Sequence, residues 1–244
     1  MSLRLRPALA VLALFSLGAC TLRDAACGSP REQAAVQRAE ALANIPSAVI
    51  PGAGTFKIAF IGDSLTAGLG LLADESFPTL IQRKFAGDGY ENVEVINAGI
   101  SGDTSAGGAS RVKGTLESGT RVVVIALGAN DALRGLTPAE TRDNLAAIID
   151  AALETNASVM LAGMEAPTNL GEDYRTAFRA TFLELARAYR GRVTYVPFLL
   201  EGVAGNPSLN QADGIHPNKD GAQVIAENLF PKLKIMVDGL GGGG

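Results

Sequence analysis

The sequence predicts an α/β fold, a single three-layer domain in which a five-stranded parallel sheet carries helices on both faces. Three observations support this. From Thr55 onward, short β-type runs alternate with segments of helical periodicity. The run Arg121 to Leu127 is solidly apolar after its first residue, as expected of a strand buried on both faces. Short polar, glycine-rich segments follow the strands, where such sheets place their ligands. Right-handed crossovers leave few topologies, and the simplest is a flavodoxin-like strand order, 2-1-3-4-5.

In chain order, residues 1–19 have the form of an export signal. Arg4 and Arg6 form a positive start, and Ala8 to Gly18 is an apolar core too short for a comfortable membrane span. The run Leu17-Gly18-Ala19-Cys20 resembles a bacterial lipobox. That resemblance implies cleavage before Cys20 and lipidation there, and Thr21 implies sorting to the outer membrane. An ordinary signal peptide cut near Ala19 or Ala26 is the alternative. Residues 20–54 then form a tether in which Cys27 is left over. Cys27 is free, or paired with Cys20 if Cys20 is not lipidated.

The domain is expected over residues 55–238. A first strand covers Phe56 to Ile61. Gly62-Asp63-Ser64 breaks it, and a helix can start from Ala67. Helix Phe77–Phe85, strand Glu94–Asn97, helix Ser105–Leu116 and strand Arg121–Leu127 follow. The helix from Thr137 to Glu154 opens with a capping box, Thr137 and Glu140. Its apolar positions Leu145, Ile148, Ile149 and Leu153 share one face. Strand Ser158–Gly163, helix Tyr174–Tyr189 and strand Val193–Val196 complete the alternation. A last helix runs from after Pro217 to about Phe230, where Pro231 is expected to break or kink it. Residues 239–244 read as a disordered glycine-rich tail.

Bulk composition narrows the function. A net charge of −4, a pI near 5.1 and the lack of a basic stripe argue against nucleic-acid binding. With 5% aromatics and no tryptophan, a stacking platform for sugars or bases is poorly supported. Two cysteines and one histidine cannot build a zinc site of the usual Cys/His kind, and no EF-hand spacing occurs.

Two segments carry the chemistry. Ser64 lies on a strand-to-helix turn, near free helix N–H groups that can hold a developing oxyanion. A serine or Asp63 capping the helix is the plainer reading. A hydroxyl needs a base to become a nucleophile. His216 is the only histidine, and Asp213, three positions earlier, can fix its tautomer.

Four blocks then match in order. Gly62-Asp63-Ser64-Leu65, Asn97 to Thr104, Gly128-Ala129-Asn130-Asp131 and Asp213-Gly214-Ile215-His216-Pro217 resemble those of the GDSL, or SGNH, hydrolases. The likeness spans about Phe56 to Leu233 and is greatest to bacterial periplasmic thioesterases, arylesterases and lysophospholipases. It implies Ser64 as nucleophile, His216 as general base and then acid, and Asp213 as its orienting carboxylate. It also implies an oxyanion hole formed by the N–H groups of Ser64 and Gly102 and the amide of Asn130. No metal or organic cofactor is required. Asp63, Asp103 and Asp131 are read as loop-fixing residues.

The expected reaction is hydrolysis of short to medium acyl esters, lysophospholipids among the candidates, through an acyl-serine. Alternatives are a carbohydrate O-acetyl esterase, a transacylase acting on the cell envelope, and a catalytically silent lipoprotein that uses the fold to bind a partner. Leu69, Leu71, Leu72 and Phe77 are candidates for an acyl groove, although Phe77 and Leu80 fit helix core better. Met164 to Gly171 resembles the family segment Arg-Leu-Pro-x-Asn-Tyr-Gly, a candidate mobile lid by that resemblance. Glu165 and Leu170 replace its arginine and tyrosine, which weakens any inherited preference for long acyl-thioesters.

Overall fold

The computed structural model describes residues 55–241. The signal peptide, Cys20, Cys27, the tether and the final three glycines lie outside the described residues.

Five parallel strands form one sheet in the order β2-β1-β3-β4-β5. They are β1 (Phe56–Gly62), β2 (Val93–Gly99), β3 (Thr120–Ala126), β4 (Ser158–Ala162) and β5 (Val193–Val196). Between and after them lie α1 (Ser64–Ala67), α2 (Phe77–Gly87), α3 (Ser105–Thr115), α4 (Ala129–Leu133), α5 (Pro138–Glu154), α6 (Glu172–Ala188) and α7 (Lys219–Gly241). Successive side chains on a strand face opposite ways. Val122 to Ala126 are nevertheless all fully buried, so helices cover β3 on both sides. α2 packs against α7, while α3 packs on α5 and α5 on α6.

The register positions the site. Gly62 pairs with Gly99 on one side of β1 and with Ala126 on the other. The segments that follow these three strands therefore leave the sheet side by side. Gly99 has no room for a side chain, because a Cβ there would lie 2.3 Å from the Ala67 nitrogen. Its bareness lets the end of β2 close on α1.

Three expectations are corrected. The helix after β1 does not start at Ala67 but ends there. Asp63 caps it by accepting the Leu65 N–H at 3.0 Å, and Gly68 closes it in the left-handed conformation. Ala129-Asn130-Asp131, within one of the glycine-rich segments expected to follow the strands, belongs instead to a short helix, Ala129–Leu133, headed by Gly128. Finally, α7 passes through Pro231 and continues over Gly239 to Gly241, beyond the expected domain end at residue 238. The capping box of α5 forms as read, with Thr137 and Glu140 exchanging hydrogen bonds.

Candidate active site

Ser64 is the first residue of α1, so its N–H has no carbonyl in a preceding turn to bond. Its side chain points at His216, whose loop is a tight hairpin between β5 and α7. An antiparallel bridge joins Asn210 to Pro217, and the Gln211 N–H donates to the His216 carbonyl at 2.7 Å. The Gln211 amide donates to the carbonyls of Leu69 (2.7 Å) and Pro217 (2.9 Å), tying the histidine loop to the serine loop.

The resulting relay is continuous. Ser64 Oγ lies 2.9 Å from His216 Nε2, and His216 Nδ1 lies 2.7 Å from Asp213 Oδ2. A carboxylate only accepts, so Nδ1 carries the proton and Nε2 is left to accept from the serine hydroxyl. Asp213 Oδ1 also accepts the backbone N–H groups of His216 (3.0 Å) and Ile215 (2.9 Å). These bonds, led by the one from the His216 backbone, pull its carboxyl down to about 2.

Gly102 follows β2 with φ +82, a conformation that favours glycine. Among the described residues its N–H meets no acceptor, while its carbonyl accepts from Arg134 Nη2 at 2.7 Å. Asn130 lies in the first turn of α4. Its amide donates to the Asp103 carbonyl at 2.9 Å and lies 3.4 Å from Asp63 Oδ2, long for a hydrogen bond. Asp63 is fully buried, and burial pushes its carboxyl up to about 6.

The loop-fixing aspartates behave as read. Asp131 is fully buried and accepts from the Ser105 N–H (2.8 Å), the Ser105 hydroxyl (2.5 Å) and Thr141 (3.3 Å). Asp103 holds Arg111 at 2.7 Å, and Arg111 also reaches the Gly62 carbonyl at 3.1 Å. The first three blocks are thereby laced together.

Ser64, Gly102, Asn130 and His216 all line one cavity of about 710 Å³. Much of its wall is apolar: Leu69, Leu133, Met164, Ala166, Phe198, Leu200 and Ile215. Of the candidate groove residues only Leu69 lines it. Phe77 is core, its ring 5.8 Å from that of Phe60, edge to face, and Leu71 and Leu80 pack against the core. Leu72 is two-thirds exposed and lies outside the lining. Sequence reasoning missed Leu133, Phe198, Leu200 and Arg175. The first three lie within four residues after a matched block or a strand end, which was the available signal. The Met164–Thr168 stretch forms one wall, with Glu165 paired to Arg179 at 3.0 Å.

Residues 60–224 match the GDSL-like Lipase/Acylhydrolase family. The chain belongs to this family. It is 42% identical over 175 residues to Esterase TesA of Pseudomonas aeruginosa, covering 71% of this chain and 86% of that protein. It is 36% identical over 179 residues to Thioesterase 1/protease 1/lysophospholipase L1 of Escherichia coli K12, covering 73% and 83%. A crystal structure of TesA superposes with a TM-score of 0.70 at 41% identity, covering 74% of this chain and 99% of that one.

Proposed function

We propose that this family member is a serine ester hydrolase that cleaves short to medium acyl esters through an acyl-serine intermediate. The observation that carries the reading is the Ser64–His216–Asp213 relay opening into a largely apolar cavity. The names esterase, thioesterase and lysophospholipase borne by its relatives agree with it.

In this scheme Ser64 attacks the ester carbonyl as His216 Nε2 takes its proton. His216 returns the proton to the leaving alcohol or thiol, and water then attacks the acyl-enzyme with His216 again as base. The Ser64 and Gly102 N–H groups hold the oxyanion. Asn130 contributes the amide hydrogen that its long contact with Asp63 leaves weakly engaged. A donor of this kind typically contributes about 2.7–4 kcal/mol to the transition state. The apolar walls favour an acyl chain over an acetylated sugar. The assembled relay speaks against a silent binding module. At its amino end we propose lipidation of Cys20 and attachment to the periplasmic face of the outer membrane, on the lipobox-like run Leu17 to Cys20.

A fluorophosphonate probe tests the reaction. It is expected to form an adduct on Ser64, located by mass spectrometry. Ser64→Ala is expected to lower kcat by at least about 10⁴-fold with its circular dichroism unchanged. Wild-type turnover by the purified variant would sink the mechanism.

A further inference from the structure

One cation lines the catalytic cavity without a role in the relay. Arg175, in the first turn of α6, is three-quarters buried among largely apolar walls. Among the described residues its side chain makes one hydrogen bond, from Nη1 to Glu172 Oε2 at 2.8 Å. The Glu172 side chain is 76% exposed, so water screens that pair and it holds the guanidinium weakly. Glu165, the carboxylate that lines the cavity, is engaged by Arg179. Arg175 Nε is enclosed and has no acceptor. Nη2 makes no hydrogen bond among the described residues, so the guanidinium keeps donor capacity for a carboxylate or phosphate at the cavity wall.

Building on the ester-hydrolase reading, we infer that Arg175 is a specificity residue for esters that carry an anionic group, a carboxylate or phosphate, across an apolar spacer from the scissile carbonyl. An anion entering the cavity would accept from the guanidinium hydrogens that Glu172 leaves uncommitted. It would also meet the guanidinium where water is displaced, so the attraction would exceed that of the exposed Glu172. The apolar walls between Ser64 and Arg175 would take the spacer.

The test compares the full chain with its Arg175→Met and Arg175→Lys variants on two matched ester pairs. On the acyl side, p-nitrophenyl hexanoate is set against the p-nitrophenyl monoester of adipic acid. On the alcohol side, the hexanoyl ester of methyl 4-hydroxybenzoate is set against that of 4-hydroxybenzoate. Arg175→Met is expected to lower kcat/KM for the anionic member of at least one pair about tenfold or more, chiefly through KM. The neutral members should stay within about twofold, and Arg175→Lys should retain part of the preference. The responding pair identifies which side of the ester bears the anion. Equal losses on neutral and anionic esters would mean that Arg175 only supports the wall, and would overturn the inference. An unchanged anionic-to-neutral ratio in both pairs would overturn it as well. Failure of the wild-type chain to turn over the neutral esters, with no probe adduct on Ser64, would instead bring down the hydrolase reading beneath it.

Discussion

Two carboxyls near His216 are driven in opposite directions. Asp213 is held down to about 2 by hydrogen bonds, whereas Asp63 is pushed up to about 6 by burial. The Asp63 carboxyl therefore binds its proton more tightly in the folded chain than in the unfolded chain, where it titrates near 3.8. Below that value both states are protonated and the site carries no penalty. As pH rises through the window up to about 6, the unfolded state ionises first and stability falls, by on the order of 3 kcal/mol at most. Asp63→Asn removes the titration. Its amide can still accept from the Leu65 N–H, but it places a donor against Asn130, a penalty that does not vary with pH. Urea midpoints from about pH 4 to 7 should therefore fall for the wild type relative to Asp63→Asn. Parallel profiles would show that Asp63 ionises freely. Asp213 has the reverse sign: its contribution is full above about 3.8 and is lost as pH falls through about 2, so it stays ionised across the working range of an imidazole base.

At the scale of elements, α7 shows what sequence reading weighed poorly. Pro231 cannot donate to the Glu227 carbonyl one turn back, and its ring crowds that turn, at a cost of about 3 kcal/mol. The helix continues because Ile225, Leu229, Leu233 and Val237 are all fully buried, on both sides of the proline. Each such side chain contributes about 1.5–3 kcal/mol, so the apolar stripe outweighs the missing bond. Periodicity past the proline was visible in the sequence, but how much of it would be buried was not. Pro231→Ala should accordingly raise stability by about 1–3 kcal/mol, read as a higher urea midpoint with an unchanged slope. A loss of stability would mean that the packing of Phe230 on Phe85 depends on the proline's distortion. The strands and the α5 capping box were legible because their signals are local: apolar runs, and Thr137 three residues before Glu140. The one-turn helix α1 was misplaced because its start depends on the Asp63 side chain turning back to Leu65, a contact that the same residues in a plain loop would not make.

At the scale of the molecule, four blocks scattered from Gly62 to Pro217 meet because a parallel sheet delivers the ends of β1, β2 and β3 to one rim and the long segment after β5 folds back onto it. Strand order alone brings together only the first three segments; Ser64, Asp213 and His216 were singled out by the serine turn, the single histidine with Asp213 three positions earlier, and the four-block resemblance. The walls were not, since Leu133, Phe198 and Leu200 reach the cavity only through the conformations of their loops. The same separation of parts sets the last prediction. Among the described residues no helix is long and apolar enough to cross a membrane. The proposed attachment therefore rests on Cys20, where each acyl chain adds about 0.8 kcal/mol per buried CH₂ and several chains together hold firmly. The relay is built entirely from the domain beginning at Thr55, so anchoring and catalysis should separate cleanly. Cys20→Ser should move the chain from the membrane pellet to the soluble periplasmic fraction while ester hydrolysis per molecule stays within about twofold, since no residue of the cavity changes. Ser64→Ala should do the reverse, losing hydrolysis while remaining in the pellet. If Cys20→Ser still sediments with membranes, the lipobox reading is wrong and some other surface of the chain makes the attachment.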